Sequence, residues 1–244
     1  MGSEARTVNQ IIDEYNAMID DAANLNTFSR CLSHQEAKVQ AIEAYVSQVR
    51  RYKHWAIRQQ DEQLANLFLH FHCMLRAIQS SLSVWLTLKT KHPIDAWRHL
   101  VDAQEYADVA KKAKRHHGVE VLEEQLNAME RSLFPHQNVF NSPGFTETIG
   151  KCSVCGEPFA VCDHVEGHIY MGIFCRRVDR QILDINHSAV VANPRDRRCV
   201  FAKYSESGRM VDRFTLEDLG PSKDDGNGML VEGVIISFKQ LELD

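Results

Sequence analysis

Residues 152–175 read CSVCGEPFAVCDHVEGHIYMGIFC, and this stretch decides how the second half of the chain folds. It holds four of the seven cysteines, together with two histidines. Cys152 and Cys155 have the spacing at which a tight turn points two thiolates at one cation, and Gly156 supplies the backbone freedom that such turns use. An odd number of cysteines, clustered beside histidines, is typical of a metal site rather than of a disulfide framework. The pattern predicts bound zinc.

The remaining ligands of this site are less certain than the first two, because six side chains compete for the four positions of a tetrahedral site. Cys162 and His164 lie two residues apart, so in an extended segment both side chains point to one side. Cys175 is an alternative to Cys162, and His168 is expected outside the metal sphere. The predicted ligands are therefore Cys152, Cys155, His164 and one of Cys162 or Cys175. Since spare thiolates can close the sphere, we expect a structural rather than a catalytic zinc.

Residues 1–134 carry apolar side chains at helical spacing with few breakers, which predicts an antiparallel helical bundle. The run from Asp61 to about Thr90 is apolar on more than one face and should be the central helix. Ser33 and Glu36 have the spacing of a capping box at the start of the second helix. His116 and His117, just before Gly118, resemble the end of the fourth helix.

The pattern changes after residue 134. Residues 135–150 contain turn signals such as Ser-Pro-Gly and predict a connecting loop. Beyond the cysteine-rich stretch, four segments have β-strand composition; they are residues 181–191, 199–204, 210–216 and 229–243. The predicted fold class is α+β: a bundle over residues 1–134, then a small zinc-stapled β domain over residues 151–244.

The cysteine-rich stretch, followed by ILDINHSAVVANPRDRRC at residues 182–199, resembles a Cys/His module of some bacteriophage head-maturation proteins of the prohead protease-like kind. The matching elements are Cys152, Cys155, Cys162, His164, Gly167, Tyr170, Cys175 and Asn193-Pro194. The resemblance covers residues 152–198 only, and it implies the metal module and a bacterial or phage setting. The catalytic His and Ser motifs of those proteases have no counterpart here, so no peptidase activity is implied.

An arginine-rich segment follows the predicted metal site. Between residues 176 and 198 there are six arginines and three aspartates, which gives a local charge of +3 in a chain of net charge −5. Guanidinium groups suit phosphate or carboxylate recognition, and the loop residues Arg195, Arg197 and Arg198 are the best candidates for contacting a partner or a phosphate. The alternative is that these arginines pair internally with the aspartates and with the acidic helices.

Composition and motifs favour an intracellular interaction or adaptor protein over an enzyme. The net negative charge disfavours a general nucleic-acid coat protein, and no apolar run is long enough to span a bilayer, so we expect a cytoplasmic protein with a protein partner. One alternative is a nucleic-acid-binding protein whose zinc orders the arginine loop. A second is a metal-dependent hydrolase or nuclease with His164, His168 and Glu166 at an open site.

Overall fold

The computed structural model describes residues 6–28, 31–223, 228–237 and 239–243, and it shows a helical half followed by a β half. The helices are α1 Val8–Phe28, α2 Leu32–Arg58, α3 Glu62–Lys89, α4 Pro93–Ala113 and α5 His117–Leu133. The strands are β1 Phe140–Glu147, β2 Lys151–Cys152, β3 Ile169–Tyr170, β4 Ile173–Phe174, β5 Arg177–Val178, β6 Ile182–Val191, β7 Phe201–Glu206, β8 Arg209–Asp212, β9 Asp218–Pro221 and β10 Val231–Gly233. The predicted α+β class is confirmed.

Helix α3 is the centre of the bundle, as its sequence predicts. It packs against α1, α2 and α4, while α5 packs on α4. The side chain of Asp61 caps its start by accepting a hydrogen bond of 2.9 Å from the backbone N–H of Leu64. Leu69, Met74 and Leu75 are buried and lie on different sides of the helix, so it has apolar contacts on several faces. None of the helices in the described ranges is both long and apolar enough to cross a bilayer.

Two predicted helix ends are wrong. Helix α2 begins at Leu32 with Cys31 in the capping position, so Ser33 already lies in its first turn. Helix α4 ends at Ala113, and His116 instead caps the start of α5, where its Nδ1 accepts a hydrogen bond of 3.1 Å from the N–H of Gly118. A histidine before a glycine fits either end of a helix, and the sequence does not show where the chain reverses.

Residues 135–150 are not simply a connecting loop, because β1 occupies half of the segment and pairs antiparallel with β6. The Pro-Gly signal misled the prediction. The ring of His187 lies so close to Gly144 that an added Cβ would be 2.2 Å from it, so a side chain at this position would displace the ring. This glycine lies in a strand beside a ring rather than in a turn. Pro143 is tolerated because a two-stranded ribbon leaves many N–H groups outside the ladder.

The other strands form one antiparallel sheet, in the order β10-β7-β8-β9, and two small pairs, β2-β5 and β3-β4. The predicted strand over residues 229–243 is wrong for most of its length. Only Val231–Gly233 joins the sheet, and the described residues beyond it are not in a strand. Backbone atoms of residues 241–243 bond instead to the side chains of Arg176, Tyr106 and Lys53, which composition alone does not predict.

The two halves share one hydrophobic core. Phe140, Val200 and Leu243 from the β half are buried in the same cluster as the apolar faces of the helices. Trp97 of α4 packs against both Phe134 and Phe140, with ring centroids 5.4 and 5.9 Å apart. Buried apolar side chains of the β half therefore pack into the core of the bundle. The described residues of the β half form no second hydrophobic core.

His72 of α3 generates a prediction about stability and pH. It is fully buried, and within the described part of the chain neither of its ring nitrogens has a hydrogen-bond partner. Burial, reinforced by the positive charge of Lys53, lowers the pKa of His72 well below its ordinary value. The unfolded chain therefore takes up a proton below pH ~6.5 that the folded chain does not.

We expect His72 to lower the free energy of unfolding by up to about 1.4 kcal/mol for each pH unit below ~6.5. His72→Phe should remove this part of the slope, whereas the exposed His34→Phe should leave it unchanged. Urea unfolding at several pH values between 5 and 8 measures the slopes. Equal slopes in His72→Phe and wild type would contradict a neutral, buried His72.

Candidate metal centre

The first part of the site is a tight turn at Cys152–Gly156. The N–H of Gly156 donates to the carbonyl of Cys152 at 2.9 Å, and the N–H of Cys152 donates to the carbonyl of Glu157 at 2.9 Å. Gly156 has a φ of 76°, a left-handed conformation that glycine adopts at little cost. The turn brings the Cys152 and Cys155 side chains to the same side.

Four predicted ligands converge beside this turn. One ligand atom from each of Cys152, Cys155, Cys162 and His164 lies within 4.8 Å of the other three. Cys152 is buried, Cys155 is exposed, and Cys162 and His164 are half-buried. Three sulfurs and one imidazole nitrogen at such distances form a donor set that can hold a metal ion.

The chemistry of these groups fits a cation at their centre. Burial opposes ionisation of the Cys152 thiol, but backbone N–H groups of Cys155 and Val154 lower its pKa to about 6. The N–H of Val154 lies 3.4 Å from the Cys152 sulfur. Nδ1 of His164 is buried and, among the described residues, has no hydrogen-bond partner. A cation would supply the interaction that this nitrogen lacks.

Cys175, the alternative fourth ligand, lies next to this group but not within it. Its sulfur is 3.9 Å from the Cys152 sulfur and fully buried. Burial, together with the hydrogen bond to Cys152, raises the pKa of Cys175 to about 12. The geometry thus favours Cys162 as the ligand and a neutral Cys175 thiol beside the site. His168 is exposed and lies outside the group.

A hairpin next to the ligands fastens this region to α3. Strands β3 and β4 are joined at Met171 and Gly172, whose φ values of 47° and 72° are typical of a type I′ hairpin turn. The N–H of Gly172 donates to the side-chain oxygen of Asn66 at 2.7 Å. A Cβ on Gly172 would lie 2.8 Å from the carbonyl oxygen of Ala65, so the close approach requires glycine. Sequence reasoning missed the role of Asn66, since a polar residue on a helix carries no signal of its partner.

Arg198 is the most deeply buried of the three predicted loop arginines, with 2% of its surface exposed. It donates two hydrogen bonds to Glu105, at 2.9 and 2.6 Å, and also bonds to Asp102 and Asp196. Asp102 and Glu105 are three residues apart on α4, so they face the loop together. Arg198 is therefore paired internally, as the alternative has it, and its predicted contact with a partner or a phosphate stays a prediction.

Arg197 and Arg195 differ in how much of each side chain is covered by its partners. Arg197 bonds to Glu130 at 2.5 Å, and its guanidinium carbon lies 5.0 Å from the ring centroid of Trp97. Arg195 bonds to Glu147 at 3.0 Å, but half of its side chain remains exposed. Arg195 is therefore the most exposed of the three predicted arginines.

Glu166, the carboxylate considered for an open catalytic site, is hydrogen-bonded to Arg177. Its carboxylate accepts from the backbone N–H of Arg177 at 3.2 Å and from the guanidinium of the same residue at 3.2 Å. A general base needs a free carboxylate within reach of its substrate. The geometry thus gives His164, His168 and Glu166 no common site.

Comparisons with known proteins add no relative. No protein-family model matches the chain, and neither a curated protein nor a solved structure matches it significantly. The resemblance of residues 152–198 to a phage head-maturation module therefore stays a prediction.

The ligand set generates a prediction about metal content. Cys155→Ser should lose most of the bound metal, because it removes one of four donors at an exposed position where packing is little disturbed. Cys175→Ser should keep one metal per chain, and so should the exposed control Cys31→Ser. Atomic spectroscopy on the purified variants measures the content. Full metal in Cys155→Ser, or loss in Cys175→Ser, would mean that the ligand set is wrong.

Arg198 generates a prediction about stability. Arg198→Met should lower the free energy of unfolding by about 3–5 kcal/mol, because it removes the guanidinium partner of the buried Asp102 and the half-buried Asp196 carboxylates. The half-exposed control Arg195→Met should change it by no more than about 0.5 kcal/mol. Urea unfolding measures both. Equal effects of the two substitutions would contradict the buried network.

Proposed function

We propose that this chain is a zinc-stabilised interaction protein whose metal has a structural role and whose β half presents a surface to a protein partner. The observation that carries the proposal is the convergence of three cysteine sulfurs and one imidazole nitrogen on a single position. Such a donor set completes a tetrahedral sphere and leaves no position for a substrate. Zinc is the proposed ion because it combines thiolate and imidazole ligands in tetrahedral geometry.

The proposed setting is intracellular. Disulfides form in oxidising compartments, whereas thiolate ligands need to stay reduced. None of the seven cysteines forms a disulfide, and this includes Cys152 and Cys175, whose sulfurs lie 3.9 Å apart. A cytoplasmic location accords with reduced cysteines and with the absence, among the described helices, of one that could cross a bilayer.

The partner surface proposed for the β half is the ribbon formed by β1 and β6. Leu183 and Ile185 of β6 are 64% and 53% exposed, which is a large fraction for aliphatic side chains. Among the described residues, β1 and β6 pair in the sheet only with each other, apart from a bridge between Phe140 and Val200. Strand edges without a neighbour can pair with another chain. Arg195 lies beside this ribbon, with its guanidinium carbon 4.9 Å from the ring centroid of Phe145. Apolar side chains flanked by a partly exposed arginine are typical of protein interfaces.

One observation favours nucleic-acid binding as a second candidate. Arg177, Arg180 and Arg195 all contact Glu147, and Arg177 also contacts Glu166. Three guanidinium groups against two carboxylates leave one positive charge in excess. A phosphate could use this excess, although the partners already present occupy much of the donor capacity.

The test is copurification with a paired set of surface variants. The double variant Leu183→Asp/Ile185→Asp should lose a stoichiometric protein partner that the wild type retains, because a charge in an apolar contact is strongly unfavourable. Leu219→Asp, at an exposed leucine of β9, is the matched control and should retain the partner. Nuclease treatment should leave the complex intact.

Two results would count against the proposal. Complex formation that disappears after nuclease treatment, or that weakens steeply with salt and depends on Arg195, would favour nucleic-acid binding through released counterions. Equal retention by the double variant and the wild type would remove the ribbon from the interface. Circular dichroism and metal content confirm that each variant is folded before the comparison is made.

A further inference from the structure

Residues 241–243, here called the strap, lie across the bundle in a way that resembles a bound peptide. They belong to no helix or strand. Leu243 is buried in the core, whereas Glu242 between the two leucines is exposed. The strap is separated from the bundle residues that it contacts by more than 130 positions in the sequence.

The main chain of the strap is held by side chains rather than by a strand. The carbonyl of Leu241 accepts from Arg176 at 2.6 Å, and the N–H of Glu242 donates to the Tyr106 hydroxyl at 2.9 Å. The carbonyl of Leu243 accepts from the ammonium group of Lys53. Three successive residues are thus each recognised through a backbone atom, which makes the contact sensitive to the direction and position of an extended chain.

The surface under the strap carries buried positive charge. Lys53 of α2 is 2% exposed, and Arg76 of α3 is 8% exposed. Arg76 bonds to Glu43 and, at 3.2 Å, to the carboxylate of Glu242. The fully buried His72 lies close enough to both cations for them to lower its pKa. A buried cation is costly without a partner. Glu43 supplies part of this pairing from within the bundle, and the strap adds the carbonyl of Leu243 and the carboxylate of Glu242.

We propose that this face of α2, α3 and α4 is a binding cleft for an extended segment of leucine-acidic-leucine type in a partner protein, and that the strap occupies it in cis as a displaceable competitor. The apolar contact of Leu243, the anionic contact of Glu242 with Arg76 and the backbone contacts define the ligand chemistry. The cleft contains neither the β1–β6 ribbon nor a predicted metal ligand, and it meets the metal module through Arg176. If peptide binding fails in the experiment below, the proposed function is therefore unaffected.

A tethered strap acts at an effective concentration of the order of millimolar, so it should weaken the binding of any free peptide. Weakening the strap should therefore strengthen peptide binding. The probe is a fluorescein-labelled peptide of residues 239–243, KQLEL, with an amidated carboxyl end. It is titrated into full-length protein carrying Glu242→Gln and Leu243→Ala, and binding is followed by fluorescence anisotropy.

The expected result is at least tenfold tighter binding of the peptide to this double variant than to the wild type. Adding Lys53→Met should reduce the affinity at least tenfold, because it removes the donor to the third carbonyl. Adding Arg51→Met, at an exposed position of the same helix, is the matched control and should have no effect. A folded double variant that binds no more tightly than wild type, or that is indifferent to Lys53→Met, overturns the proposal.

If the double variant does not fold, amide hydrogen exchange on the wild-type protein tests the proposal instead. The amide of Glu242 should exchange at least 100-fold faster than amides in the middle of α3, because a displaceable strap opens without unfolding the bundle. Equal exchange rates would mean that the strap leaves its cleft only when the whole protein unfolds. That result overturns the proposal.

Discussion

The convergence of Cys152, Cys155, Cys162 and His164 is the constraint on which the geometry of the β half depends. The strand pairs beside the ligands, β2-β5 and β3-β4, have two residues in each strand, and such short ladders are not stable alone in water. A metal ion held by four side chains would fix the two halves of this segment together. The hairpin that contacts Ala65 and Asn66 could then keep its position on α3.

Polar contacts also attach the β half to the bundle, with which it shares one apolar core. Arg198 provides one such contact by bonding to Asp102 and Glu105 of α4, and the strap provides another through Lys53 and Arg76. Both place a buried cation between two segments that are distant in sequence. A buried ion pair adds little net stability compared with apolar packing, but it strongly disfavours arrangements in which one partner is missing. These contacts therefore select the arrangement of the two halves.

The sequence predicts the features that arise from local patterns. Helical periodicity identified the five helices and the central place of α3, and the spacing of cysteine and histidine identified Cys152, Cys155 and His164 as candidate ligands. Features that depend on distant partners were not predictable. Gly144 resembles a turn residue until the ring of His187 is placed over it, and Arg198 resembles an exposed loop residue until Asp102 and Glu105 are seen to face it. The choice of the fourth ligand also depended on the three-dimensional structure, because Cys162 and Cys175 fit the sequence spacing equally well.

The central claim is that the four side chains close around a metal ion and leave no position for a substrate. Absorption spectroscopy of the cobalt-substituted protein tests it most directly, because cobalt reports both the geometry and the ligands of a site that zinc leaves spectroscopically silent. The account predicts a tetrahedral, thiolate-rich spectrum that does not change when small anions are added. A spectrum that shifts on addition of anions would reveal an open coordination position and would contradict a structural role for the metal.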